Sequence, residues 1–335
     1  MKQEAMPPRS QQQAEQSAPP LASGEKALPG PAPAACEPAS DDLPQAVRAW
    51  SSRRWRSGVV REENDSLAVE EPLEIRLGGK RFTVTMRTPG HDEELAAGFL
   101  LAEGFVETGR EIAEIRRVRS RGGALEPNLL DVVLGVPADS LRQRLKRNFV
   151  MSSSCGLCGK TSIESLCRRL APLSDPSTVS AAELLKLAPA MRRAQRGFSA
   201  TGGLHAAALF VASPAPAKGV AHGGEPRVAG GTESAAPRPL VIREDVGRHN
   251  AVDKVLGYAL LNAMVPATGM VLVVSGRLSF EIVQKAAAAR APIVAAVSAP
   301  TSLAVELASE VGITLVGFLR EAGFNTYSRP ERIRF

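Results

Sequence analysis

The sequence predicts an α/β protein of the α+β kind, with a layered sheet and its helices in the C-terminal half and a smaller β-rich subdomain before it. Three observations carry this. From Asn250 onward, apolar runs of strand length alternate with helical patterns of about three turns. Between about residue 58 and residue 150, strand patterns outnumber helical ones. The chain of 335 residues, 44% of them hydrophobic, is also long enough to bury a core and to form one large or two modest domains.

The elements follow in order. Residues 1 to about 57 are rich in Gln, Ala, Pro and Ser, and read as a disordered tail. Ser66–Ile75 and Lys80–Arg87 alternate apolar and polar residues around Leu77-Gly78-Gly79, a hairpin signal. After Thr88-Pro89-Gly90, the stretch Asp92–Gly104 has helical spacing with acidic residues in its first turn. A basic segment, Arg116–Arg121, precedes a strand over Leu129–Leu134, and Leu141–Phe149 reads as a basic connector. A cysteine loop over residues 151–160 leads into the second domain, 161–335, where Ala181–Arg193 is an amphipathic helix.

Gly203–Val211 and Leu240–Arg243 read as strands, separated by residues 213–239, too rich in Pro and Gly for regular structure and read as a flexible insertion. The rest alternates: helix Asn250–Leu261, strand Met270–Ser275, helix Phe280–Arg290, strand Pro292–Ser298, helix Leu303–Glu310 and strand Thr314–Phe318. Val255–Gly276 lacks charge over the length of a membrane span, but Asn262, Pro266, Thr268 and Gly269 interrupt it, so it reads as a helix end, a turn and a buried strand.

Composition narrows the function. The net charge of +6 and pI near 9.4 suit anionic partners such as nucleotides. Aromatic residues at 4% leave few stacking platforms for single-stranded nucleic acid, so none is expected as a partner. Met1–Ser10 has no apolar secretory core, and four cysteines are too few for a disulfide scaffold. The expectation is a cytoplasmic protein without a membrane span.

Cys155-Gly156-Leu157-Cys158-Gly159-Lys160 is the most reactive stretch. Thiols at this spacing can share a metal, form a redox disulfide or pass a sulfur atom. The two glycines keep them accessible, and Lys160 favours the nucleophilic thiolate. Cys167 and the four histidines offer no recognisable second half of a zinc site, so no metal is expected.

Polar clusters then mark one strand end after another. Thr201-Gly202-Gly203-Leu204-His205 opens a strand, and Arg243–Lys254 packs charges of both signs with His249 and Asn250 at a strand–helix junction. Ser275-Gly276-Arg277, Ala299-Pro300-Thr301-Ser302 and Gly317-Phe318-Leu319-Arg320 repeat the pattern. Such ends line the ligand crevice of an α/β sheet, where arginines and helix N-termini suit a pyrophosphate. No GxGxxG or P-loop motif is present.

Taken in order, these motifs resemble the formate dehydrogenase accessory sulfurtransferases, the FdhD family. The residues that carry the likeness are Thr88-Pro89-Gly90 with Glu94–Leu100, Ser154–Gly159, Thr201–His205, Glu244–Lys254, Ser275–Arg277, Ala299–Ala304, and Gly317–Arg320 with Asn325 and Tyr327. The resemblance implies a cytidine-deaminase-like fold in the C-terminal half without the zinc chemistry. A deaminase needs H-x-E and P-C-x-x-C, whereas alanines follow His205 and no proline precedes Cys155.

It implies a sulfurtransferase that forms a persulfide. Cys155 would receive sulfur from a cysteine desulfurase, with Cys158 as helper or relay. The acceptor would be the molybdenum bis-molybdopterin guanine dinucleotide cofactor, held as bound substrate and destined for a formate dehydrogenase catalytic subunit. Its contacts would be Phe318, Leu319, Arg320, Glu321, Ala322 and Gly323, with guanine and phosphates near His205, Asp245, Arg248, His249, Ser275 and Arg277. A homodimer is also implied. Two rivals remain at this point: a cofactor-binding chaperone that moves no sulfur, and a zinc or redox protein built on the cysteine pair.

Overall fold

A computed structural model describes residues 43–120, 122–136, 170, 172–212 and 237–335. The cysteine loop, the connector before it and residues 213–236 lie outside the described residues.

A four-residue turn of helix, α1 (Leu43–Ala46), precedes a two-stranded ribbon, β1 (Val47–Arg56) and β2 (Val59–Ala68). This corrects the expected tail, which ran to residue 57. Valine on both arms, Trp50 and Trp55 on β1, and a Ser57-Gly58 reversal with both residues at positive φ outweigh the polar composition. The stretch expected as one strand from Ser66 is split between β2 and the next element.

A four-stranded sheet follows in the order β4-β3-β6-β5, from β3 (Glu71–Leu77), β4 (Lys80–Arg87), β5 (Ile112–Arg119) and β6 (Leu125–Leu134). Gly78 and Gly79 both take positive φ, as the tight β3–β4 turn requires. Helix α2 (Asp92–Ala102) leaves β4 through Thr88-Pro89-Gly90. Arg87, 1% exposed, anchors its start by donating to both Asp92 carboxylate oxygens at 2.8 and 3.1 Å.

The main sheet has six strands in the order β13-β12-β11-β10-β8-β9. They are β8 (His205–Val211), β9 (Val241–Asp245), β10 (Met270–Val274), β11 (Ile293–Ala296), β12 (Thr314–Arg320) and β13 (Gly323–Ser328). The central β10, β11 and β12 are parallel, while β8, β9 and β13 run antiparallel to their neighbours.

Helices cover both faces. They are α3 (Ala181–Ala194), α4 (Arg196–Thr201), α5 (Arg248–Leu261), α6 (Phe280–Ala288) and α7 (Ser302–Val311). Alternate strand residues serve opposite faces. Leu272, Val274 and Val294 join the cluster formed with α2, α5, α6 and α7, whereas Val271, Val273 and Ile293 pack on Leu184, Leu187 and Met191 of α3. A short parallel pair, β7 (Val179–Ser180) with β14 (Ile333–Arg334), ties the C-terminus to the start of α3.

The N-terminal sheet and the C-terminal layer share one core. Leu73, Ile75, Leu95 and Leu100 belong to the same apolar cluster as Val252, Leu256 and Ile282. The junction is the crossing of α2 and α5, which meet backbone to backbone. A Cβ on Gly98 would overlap the Asp253 carbonyl, and one on Gly257 would overlap the Glu94 carbonyl.

Two buried ion pairs flank this crossing. Arg243 of β9, 5% exposed, donates to Glu94 of α2 at 2.6 and 2.7 Å. Burial raises the Glu94 carboxyl, but the Arg243 bonds and charge outweigh it and the net shift is downward. Lys285 donates to both Asp253 oxygens at 2.7 and 2.9 Å, yet burial pushes Asp253 up to about 6.

The raised carboxyl fixes the sign of a pH effect. The folded chain keeps the Asp253 proton where the unfolded chain has lost it, so stability falls as pH rises from about 4 to about 6 and then levels. Against Asp253→Asn, the wild type is expected to lose on the order of 2 kcal/mol between pH of about 4.5 and about 7, read by urea unfolding at each pH. A difference that stays flat or grows with pH would contradict the assignment.

Candidate functional site

The parallel strands β10, β11 and β12 end along one edge of the sheet, and the antiparallel β8 begins there. A crevice of about 530 Å³ opens along this edge, lined by His205 and Ser275, by Leu319, Arg320 and Glu321, and by Arg192 and Phe198. The expected crevice at consecutive strand ends is therefore present, and five of the expected residues meet in it.

Local folding explains each placement. Ser275 follows β10 and locks onto β8: its N–H donates to the Ala206 carbonyl and its hydroxyl accepts from the Ala206 N–H, both at 2.9 Å. His205 begins β8 next to it. Burial lowers the His205 pKa first and the Arg248 charge lowers it further, so the ring is neutral at neutral pH.

Arg248 opens α5, whose N-cap, Gly247, supplies no side chain to the free N–H groups. The guanidinium stem lies against Gly276, where a Cβ would sit 3.3 Å from the Arg248 Cβ and Cδ and 3.6 Å from His205 Nδ1. Arg248 Nε is buried without a hydrogen-bond partner among the described residues. A cation at an uncapped helix start with an unsatisfied donor fits an anionic group.

Other expected residues stand elsewhere. Phe318 is exposed at a φ of 54° and is not among the residues that line the crevice; its N–H donates to the Ser298 carbonyl at 3.1 Å. Ala322 forms the β12–β13 reversal with Glu321, and Gly323 opens β13 opposite Arg320. Arg277 is exposed on the β10–α6 loop.

His249 faces a second pocket of about 210 Å³, shared with Asp253, Glu281, Gln284 and Lys285. Its Nε2 is 3.2 Å from Ser279 Oγ and 3.3 Å from Glu281 Oε2. Burial first, then the Arg248 charge, lowers its pKa to about 4. The two histidines expected around one ligand therefore serve separate pockets.

Asp245 needs a correction. It is 0% exposed and both oxygens are taken. Lys254 Nζ at 2.8 Å and the Thr88 N–H at 3.1 Å donate to Oδ2, and the Gly247 N–H at 2.8 Å and Asn250 Nδ2 at 3.1 Å donate to Oδ1. It is a positioning residue that ties the β9–α5 junction to the loop before α2, with no lone pair left for a ligand. Glu244 acts similarly, accepting from the N–H groups of Gly197 at 2.8 Å and Phe198 at 2.7 Å. It thereby fixes the start of α4 and the Phe198 wall.

Sequence reasoning missed Arg192 and Phe198. The Arg192 guanidinium stacks 4.5 Å from the Phe198 ring centroid and donates to Ser199 Oγ at 3.0 Å. In the sequence, Arg192 is one of two arginines in the last turn of a helix, a position cations occupy anyway, so no signal marked it.

This arrangement of strand ends and crevice has relatives. Residues 68–216 and 229–334 match the FdhD/NarQ family. The chain belongs to this family.

It is 50% identical over 273 residues to the sulfur carrier protein FdhD of Mycolicibacterium paratuberculosis, covering 80% of this chain and 92% of that protein. The sulfur carrier protein FdhD of Anaeromyxobacter dehalogenans is 43% identical over 285 residues, covering 82% of this chain and 90% of that one. Among solved structures, a protein described as a formate dehydrogenase accessory protein from Desulfotalea psychrophila superposes with a TM-score of 0.62 at 26% identity. That match covers 86% of this chain and all of the other. The mixed α/β class expected from the sequence agrees with this FdhD-type architecture. Among the described residues, no helix is long and apolar enough to cross a membrane.

Proposed function

We propose that this protein is a cytoplasmic sulfurtransferase that carries sulfur as a persulfide on Cys155. The donor is a cysteine desulfurase, and the acceptor is molybdenum bis-molybdopterin guanine dinucleotide, bound as substrate for a formate dehydrogenase catalytic subunit. The resemblance extends the proposal to a homodimer. The observation that carries the reading is the crevice lined by the cations Arg192 and Arg320, with the unsatisfied Arg248 near its lining residue His205. The naming of the relatives as sulfur carriers supports the chemistry.

In the loading step, the Cys155 thiolate attacks the terminal sulfur of the donor persulfide. The new S–S bond forms as the donor bond breaks, and the donor cysteine leaves as a thiolate. In delivery the Cys158 thiolate, three residues away, acts as helper and attacks Cys155 Sγ. A Cys155–Cys158 disulfide forms as the persulfide S–S bond breaks, and the outer sulfur leaves as hydrosulfide to the acceptor. A thiol reductant then reopens the disulfide. The crevice residues bind and orient: arginines and the α5 N-terminus take phosphates, and the neutral His205 offers one donor and one acceptor to a base or ribose.

Incubation with a cysteine desulfurase and L-cysteine, followed by intact mass measurement, tests this. Wild type is expected to gain about one sulfur mass that a thiol reductant removes, and Cys155→Ala is expected to gain none while still binding a guanine nucleotide. No gain in wild type, with nucleotide binding intact, would leave a cofactor-binding protein that moves no sulfur. Bound zinc lost equally in Cys155→Ala and Cys158→Ala would replace the carrier with a metal site.

A further inference from the structure

Gln195 is the single residue between two helices: α3 ends at Ala194 and α4 begins at Arg196. A short polar side chain in this position would ordinarily cap the helix that follows. The Gln195 side chain makes no such bond. Glu244 of β9 takes the Gly197 and Phe198 N–H groups instead, at 2.8 and 2.7 Å. The Gln195 main chain is occupied. Its N–H donates to the Arg192 carbonyl at 3.3 Å, and its carbonyl accepts from the Ser199 N–H at 3.1 Å and the Ser199 hydroxyl at 2.7 Å. Its side-chain amide has no hydrogen-bond partner among the described residues.

The residue is nevertheless only 4% exposed, and it lines the crevice. A side-chain amide carries an acceptor oxygen and an N–H₂ donor, and native chains pair such groups when they bury them. An unpaired one facing a cavity calls for an occupant. Water serves poorly, because a held water needs about two to four polar partners. Ala188, Leu204, Val297 and Leu319, which share the lining, have none to give from their side chains.

The same lining carries a flat surface and a second donor–acceptor pair. The Arg192 guanidinium lies 4.5 Å from the Phe198 ring centroid, and planar heterocycles stack on both kinds of group. His205, held neutral by burial and the Arg248 charge, keeps one donor and one acceptor. Apolar side chains, a stacking pair and a free amide suit a planar ring whose edge bears a donor beside an acceptor. A bare phosphate would leave the amide oxygen unpaired.

The geometry points to Gln195 as the residue that reads the ligand's heterocycle, pairing its amide with the lactam edge, a ring N–H beside a C=O, that guanine and pterin share. Nε2 donates to the ring carbonyl and Oε1 accepts from the ring N–H. The inference rests on the cofactor-binding part of the reading above, and it involves neither cysteine of the pair.

Calorimetric titration of the full chain tests it. The probes are GDP and neopterin, each beside its O-methylated form, in which the lactam is lost, and inorganic pyrophosphate. In wild type, methylation is expected to weaken the ring that occupies the crevice about tenfold. Gln195→Met keeps the length of the side chain and removes the amide. It is expected to weaken the unmethylated ring about tenfold, to bind methylated and unmethylated forms alike, and to leave pyrophosphate unchanged. This pattern with GDP assigns the crevice to the guanine end of the cofactor, and with neopterin to the pterin end.

Wild type indifferent to methylation of both rings would overturn the inference without any variant. A Gln195→Met chain that binds both rings as wild type does would also overturn it, leaving the amide to water. So would an equal loss of ring and pyrophosphate, which would mark Gln195 as a residue that only joins α3 to α4. Wild type that binds none of the probes would sink the cofactor-binding reading and this inference with it, while sulfur loading on Cys155 is judged separately by intact mass.

Discussion

Gly257→Ala is expected to cost more than about 3 kcal/mol, enough to leave little folded protein at ordinary temperature. On an exposed helix the same change is favourable by roughly 1 kcal/mol, because alanine restricts the unfolded chain and suits the helix. Here the sign reverses. A Cβ at residue 257 would overlap the Glu94 carbonyl and meet the Gly98 nitrogen at 2.8 Å. Both obstacles are backbone, so no side chain can rotate away, and α2 and α5 would have to separate. Gly323→Ala is the control, because nothing lies within 4 Å of the added methyl and φ is not positive there. Urea midpoints for both variants check the prediction, and a Gly257→Ala midpoint equal to wild type would refute the close crossing.

Lys254→Met is expected to cost about 3–5 kcal/mol, the loss typical of removing one partner from a buried ion pair. The amine is 1% exposed, bonds Asp245 at 2.8 Å and donates to the Thr88 carbonyl at 2.8 Å. Its loss leaves Asp245 charged and buried, with only neutral donors around it. Adding Asp245→Asn to Lys254→Met removes that charge and is expected to recover a large part of the stability. Chemical unfolding of the single and double variants measures the coupling. A double variant less stable than Lys254→Met alone would show that Asp245 serves chiefly through its N–H acceptor role.

The alternating half of the fold was legible because each element is short, apolar and punctuated. Met270–Ser275 was expected as a strand and β10 spans Met270–Val274; Leu303–Glu310 was expected as a helix and α7 spans Ser302–Val311. The β1–β2 ribbon was hidden because its strands bury nothing, so neither arm shows the inward-apolar, outward-polar alternation that marks a half-buried strand. The candidate site was legible as a set of strand ends but not residue by residue. Asp245 and Arg248 stand three positions apart in one dense motif, yet one is sealed by Thr88, 157 residues earlier, and the other keeps an unsatisfied donor. Local sequence shows that a charge is present. It does not show whether the partner is a distant backbone group or a ligand.

The backbone crossing of α2 and α5 also limits how this family can be recombined. Glycine on each helix is matched to a carbonyl on the other, and Arg243 reaches across to Glu94 beside them. A chimera joining the first half of one relative to the second half of another would therefore inherit a seam cut through its tightest contact. Parents that differ at residues 94, 98, 243, 253 or 257 would have to exchange them as a block. A graft boundary at residues 213–236, beyond β8, would leave β9 and α5 to come from the second parent and would cut that same seam.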